Sequence, residues 1–162
     1  MRLFVVGLVI LTAGAAPSSS GAVGPVCRAS AVHYRAVPSP RGVPGVPWVA
    51  STNAAFRGYL FYWGGTRWAR SRLSSARIFT AKAHVRVHPK VLWIALRRSS
   101  GTLVIRGRRL DGAGSFTARY PSASGGGQFP SYVTVPSAGC WRVTVRSGSL
   151  HGSVTFAASD SA

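Results

Sequence analysis

Four kinds of side chain in this 162-residue sequence could carry chemistry: two cysteines, four histidines, two aspartates and eighteen arginines. The carboxylates are the scarcest. No Glu occurs, and Asp111 and Asp160 stand against 20 Lys and Arg, for a net charge of +18. General acid–base hydrolysis and most metal-assisted reactions rest on carboxylates, so this composition argues against them. Asp111 is accounted for by the turn it opens with Gly112, and Asp160, close to the chain end, is expected in a mobile tail. A serine triad has no elbow: in Gly148-Ser149-Leu150-His151-Gly152 the serine stands one place early. His84 and His88 alternate with Val85 and Val87. On a strand their rings would stand about 13 Å apart, too far to share an ion. His33 and His151 are isolated and read as surface or turn residues. Gly125-Gly126-Gly127 lacks the Lys and helix of a phosphate loop and reads as a flexible connection. No metal or cofactor is expected.

The segment Ser137-Ala138-Gly139-Cys140-Trp141-Arg142 superficially resembles the Ser-His-Gly-Cys-x-Arg nucleophile segment of L,D-transpeptidases, a likeness that implies a catalytic thiol at Cys140. Ala138 stands where that family has His, and none of the histidines lies in the stretch before Cys140 where the base belongs. A thiol without a base or a positive microenvironment is a poor nucleophile. Cys27 supplies the other reading, a disulfide to Cys140 in an oxidising compartment. Two free thiols are the alternative.

The compartment follows from the first residues. Met1-Arg2, the apolar run from Leu3 to Leu11 and the small residues Ala13-Gly14-Ala15-Ala16 are laid out as a secretory signal. Cleavage is expected after Ala15 or Ala22. The apolar run is shorter than the ~20 residues a membrane span requires, and Gly24-Pro25-Val26-Cys27 lacks the pattern of a lipoprotein anchor. About 140 residues then remain, enough for one domain with a modest core.

The arginines form two groups. Arg67, Arg70, Arg72 and Arg77 lie beside Trp63 and Trp68, and Arg97, Arg98, Arg106, Arg108 and Arg109 form the second. Arginine beside exposed aromatics can grip phosphates and stack on bases or sugars. Outward faces of strands are the plainer explanation, and Arg142 and Arg146 fit it, alternating with Trp141, Val143 and Val145. So much Arg beside so little Lys also fits a GC-rich coding bias. Attraction to acidic polymers follows in either case.

The elements that must position these residues read as strands. After the signal (1–22) and a Pro/Gly-rich extended arm (23–47), the stretch 48–159 carries short runs rich in Val, Thr and aromatics between Gly, Ser and Pro. They are Gly58 to Trp63, Arg77 to Val87, Val91 to Leu96, Leu103 to Leu110, Ser115 to Tyr120, Tyr132 to Val135, Cys140 to Arg146 and Ser153 to Ala158. Asp111-Gly112 marks a hairpin between two of them. The one helix expected spans Thr66 to Arg77. The pattern predicts an all-β antiparallel sandwich of about seven or eight strands, with Trp48, Tyr59, Phe61, Trp93, Val143 and Val145 in the core.

Pro47-Trp48-Val49, the aromatic strand from Gly58 to Tyr62, Lys90-Val91-Leu92-Trp93, Gly107-Arg108-Arg109-Leu110-Asp111, Phe129-Pro130-Ser131 and Gly139-Cys140-Trp141-Arg142 together resemble an uncharacterised family of small secreted proteins from GC-rich Gram-positive bacteria. The likeness covers roughly residues 47 to 157. It implies an immunoglobulin-like sandwich with a central Gly-Cys-Trp strand and carries no activity with it. The functional expectation is an exported, non-catalytic module with a structural or binding role at the cell envelope. The alternative is a polyanion-binding protein that takes teichoic acid, extracellular DNA or anionic lipid headgroups through Arg67, Arg70, Arg72, Arg77, Arg106, Arg108 and Arg109. An enzyme is the third reading.

Overall fold

The computed structural model describes residues 26–35, 43–83, 89–99, 101–123 and 126–161. The signal segment, residues 23–25 and 36–42 of the proline-rich arm and the pair His84 and His88 lie outside the described residues. Within them the chain is an all-β sandwich of two five-stranded sheets, as the strand punctuation predicts. The first sheet has the order β1 (Val32–His33), β2 (Trp48–Ala50), β3 (Phe56–Leu60), β5 (Lys90–Ala95), β8 (Gln128–Tyr132). The second has the order β4 (Arg77–Phe79), β10 (Leu150–Ser159), β9 (Gly139–Ser147), β6 (Thr102–Arg109), β7 (Ser115–Pro121). Every pairing between these strands is antiparallel except β4 on β10. Ten strands rather than seven or eight appear because β1 and β2, in the arm and at its end, are too short to show a period in the sequence.

Period-two alternation puts one face of each sheet inside. The first sheet contributes Phe56, Leu60, Val91, Trp93 and Phe129; the second contributes Leu103, Ile105, Trp141, Val143, Val145, Val154 and Phe156. Fully burying one such side chain contributes roughly 1.5–3 kcal/mol, so this facing set is the main source of stability. Gly107 of β6 lies directly across from Phe116 of β7, whose ring covers it and leans on Trp141 at 5.9 Å. An alanine Cβ at position 107 would come within 1.9 Å of that ring. Close packing, not turn chemistry, therefore requires glycine at this central-strand position.

The predicted core needs two corrections. Trp93, Val143, Val145 and Tyr59 are buried, but Phe61 is 40% exposed and Trp48 is half-buried under the Arg57 guanidinium, 5.0 Å from the ring centroid. Phe61 lies just past the end of β3, where the chain turns and the alternation no longer applies. One end of the sandwich is instead closed by Tyr62, Trp63, Trp68 and Phe79, with ring centroids 4.9 to 6.4 Å apart. Their polar atoms are satisfied: Tyr62 Oη donates to the Arg77 carbonyl at 2.6 Å and Trp63 Nε1 donates to Tyr34 Oη at 3.0 Å. Burial pushes the Tyr62 phenol pKa far up, so it stays a neutral donor.

The helix expected from Thr66 to Arg77 shrinks to one turn, α1 (Arg67–Arg70), capped by the Thr66 hydroxyl accepting from the Ala69 amide at 3.3 Å. Arg72 turns to φ +46°, which ends it, and the chain returns to β4. The tail is also not loose. β10 runs to Ser159, where it pairs with Phe79 of β4, and Asp160 accepts a hydrogen bond from Thr80 Oγ1.

Cys27 and Cys140 form a disulfide with Cα atoms 5.3 Å apart. It fastens the described part of the arm to the second sheet, where Ser30 also exchanges hydrogen bonds with Thr155. Because the bridge closes 113 residues of chain, its loss should remove about 4–5 kcal/mol on the chain-entropy account. The double variant Cys27→Ser/Cys140→Ser is accordingly expected to keep the sandwich but unfold at distinctly lower denaturant, followed by tryptophan fluorescence. An unchanged midpoint would show that the arm is held by its hydrogen bonds alone.

Candidate polyanion-binding face

The segment around Cys140 is a structural joint. Asp111, in the β6–β7 turn, receives Arg109 Nε on Oδ1 at 2.8 Å and the Cys140 amide on Oδ2 at 3.0 Å. Arg109 reaches on to Ser137 Oγ at 3.3 Å, and Trp141 Nε1 donates to the Ser137 carbonyl at 2.9 Å. Gly139 is wedged between them with φ +135°, and a Cβ there would lie 2.7 Å from both Arg109 Nε and Asp111 Oδ1. The Gly-Cys pair is thus explained: glycine for a conformation and a gap no other residue fits, cysteine for the bridge. The Arg109 hydrogen bond, then the Cys140 amide and the guanidinium charge, hold the Asp111 carboxyl below its usual range.

The arginines are sorted by strand parity. Arg108 and Arg109 are adjacent in sequence, yet Arg109 pairs in register with buried Trp141 while Arg108 pairs with exposed Arg142. Arg109 therefore belongs to the Asp111 joint, and Arg108 to the outer face of the second sheet. Three rows cross that face from β10 to β7. The first is His151, Arg146, Val104, Arg119; the second is Ser153, Thr144, Arg106, Thr117; the third is Thr155, Arg142, Arg108, Ser115. All five of these arginines and His151 are exposed. Neighbouring strands stand about 4.8 Å apart and successive outward residues about 6.8 Å apart along a strand, so the guanidiniums lie within mutual reach. A shallow trough of about 720 Å³ runs between Val104, Arg106, Arg119, Thr144, Arg146 and His151. Arg146 is steadied at its rim by Nε donating to the Gly148 carbonyl at 3.1 Å.

Arg108 directly faces Arg142, a like-charge pair that destabilises a sheet. Nothing of opposite sign in the sequence's side chains relieves it. The two carboxylates stand elsewhere, Asp111 at the Arg109 joint and Asp160 at Thr80. The side chains of this face make a field of one sign.

The other predicted cluster is separate. Arg67 and Arg70 project from α1, Arg72 lies over the Tyr34 ring at 5.7 Å, and Arg77 is half-buried in β4. Arg67 and Arg77 border a smaller hollow of about 250 Å³ over Trp68 and Leu73. Trp63 and Trp68 are buried in the end plug and cannot serve as stacking platforms. Of the seven arginines named from the sequence, only Arg106 and Arg108 come together on the trough face. Arg119, Arg142, Arg146 and His151 complete it. Their signal was alternation: each stands two or four residues from another outward polar residue on its own strand.

Among the described residues no group of three or more His, Cys, Asp or Glu is placed to hold a metal ion, and no helix is long and apolar enough to cross a membrane. Comparison with known families, curated proteins and solved structures finds no match.

The joint predicts an acid sensitivity. A carboxyl whose folded pKa is depressed contributes stability that is complete above its unfolded pKa, about 3.9. That contribution is lost as pH falls through the folded value. Unfolding midpoints measured from pH 7 to pH 2 should fall at the acid end in the wild type, and Asp111→Asn should be less stable at neutral pH but flatter below pH 4. Gly139→Ala should lose about 2–4 kcal/mol from strain and displacement of the ion pair; a neutral result would remove the joint from the account of stability.

Proposed function

We propose that this chain is an exported, non-catalytic β-sandwich module that binds an anionic polymer or surface at the cell envelope through the outer face of its second sheet. The observation that carries the reading is the concentration of Arg106, Arg108, Arg119, Arg142 and Arg146 on one exposed face without a carboxylate beside them. Guanidinium groups fork onto phosphate oxygens with two parallel hydrogen bonds and remain charged at any physiological pH. Set on the strands of a packed sheet, they start from fixed backbone positions, so only side-chain freedom is lost on binding.

The non-catalytic part of the reading rests on the use of the reactive groups. Cys140 is in a disulfide, Asp111 is held by Arg109 and the Cys140 amide, and Asp160 is bonded to Thr80. Export rests on the signal-like N-terminus together with that disulfide. The same reading keeps the chain beside the small secreted proteins that its Gly-Cys-Trp strand resembles.

Binding of inorganic polyphosphate, measured by fluorescence anisotropy across salt, tests the proposal. Five phosphate contacts should give a log–log salt slope of about −3 to −4 at the single-strand coefficient. Arg106→Ala/Arg146→Ala should reduce that slope by about 1 to 1.5, while Arg67→Ala/Arg70→Ala leaves it unchanged. No binding at low salt, or equal loss from both double variants, overturns the assignment to this face. Intact mass of the exported protein should show a chain beginning after Ala15 or Ala22.

A further inference from the structure

The face carries more than charge, and resting on the reading above we infer its ligand class: a linear polyol phosphate, phosphodiester groups separated by hydroxylated, non-aromatic spacers. Three features of the grid point there.

The first is what stands between the arginines. Arg106 is flanked across the strands by Thr144 and Thr117, and Arg108 and Arg142 by Ser115 and Thr155. The second row thus sets a hydroxyl on each side of one guanidinium, and the third sets a hydroxyl at each end of a guanidinium pair. Hydroxyls donate and accept, which suits spacers that carry hydroxyls of their own. A polyanion whose charges follow one another directly would leave these groups without ligand partners.

The second is what the face lacks. None of its twelve outward positions in the three rows is Phe, Tyr or Trp. Single-stranded nucleic acids are held by stacking bases on aromatic platforms inside a basic groove, and this face offers no platform. Reading a duplex in its major groove is excluded by breadth. Its major groove admits a helix or a two-stranded ribbon, whereas these residues span four adjacent strands.

The third is the facing pair Arg108 and Arg142. Two guanidiniums approaching from neighbouring strands are best joined by a tetrahedral anion with oxygens directed to both. A carboxylate holds its two oxygens in one plane, whereas a phosphodiester spreads its free and ester oxygens tetrahedrally towards both strands, so phosphate is favoured over a uronate.

Synthetic poly(glycerol phosphate), poly(dT) and inorganic polyphosphate of equal charge number, titrated against the full chain at one salt concentration, separate the outcomes. Poly(glycerol phosphate) should bind about tenfold more tightly than either of the others, the worth of one or two net hydrogen bonds. Thr117→Val/Thr144→Val, which keeps β-branched side chains on the strands, should erase that advantage and leave polyphosphate binding unchanged. Equal affinity for all three polymers overturns the polyol assignment and leaves the binding face standing. Preference for poly(dT) replaces it with a nucleic acid. Absence of binding to any of the three overturns the binding face itself.

Discussion

The carboxylate of Asp111 is the one attractive charge on which the second sheet depends. It joins the β6–β7 turn to the start of β9 by taking Arg109 on one oxygen and the Cys140 amide on the other. That contact lies where β9 begins against β6, and the register set by the alternating apolar residues fixes which residues face outward. A one-residue slip would send Trp141, Val143 and Val145 into water and the arginines into the core. Gly139 fits only because no side chain competes for the space the ion pair occupies. The disulfide, anchored at the next residue, ties the arm to the same point. Pairing, bridge and register therefore meet within three residues of chain.

This economy of negative charge has a consequence for the surface. A protein with +18 and one side-chain ion pair found among its described residues must tolerate repulsion rather than neutralise it. The fold manages this by placing guanidiniums on exposed positions, where water screens them, and by hardening the interior. Leu103, Ile105, Trp141, Val143, Val145 and Phe156 are essentially without solvent contact directly beneath the charged face. The aromatic plug of Tyr62, Trp63, Trp68 and Phe79 then closes one end. Apolar burial in these two places outweighs an outer face that would not hold together by itself.

Much of this was legible in the sequence because alternation reports it directly. The runs that became β5, β6, β7, β9 and β10, the Cys27–Cys140 bridge and the outward direction of Arg142 and Arg146 all follow from period two and cysteine pairing. What was hidden depends on register. Arg108 and Arg109 look like one cluster on paper, but strand parity assigns one to the open face and the other to Asp111. Trp63 and Trp68 look like stacking partners for Arg67 and Arg70, but the one-turn helix folds them inward as core. Asp160 looks like tail because only the extra length of β10, reaching Ser159, brings it to Thr80. In each case a local property was read correctly and a distant partner decided its use.

Stability and binding on the outer face are one electrostatic term seen from two sides. Arg108 opposed to Arg142 raises the energy of the sheet, and the proposed anion, seated between them, would remove that cost. A partner that binds only the folded state stabilises it by mass action. The unfolded chain spreads the same arginines apart and cannot offer the grid. The folded sandwich alone presents charge and hydroxyl at strand spacing, so the proposed binding would depend on the β6–β9 register. The carboxylate at the β6–β7 turn thus joins the two strands that carry Arg106, Arg108, Arg142 and Arg146.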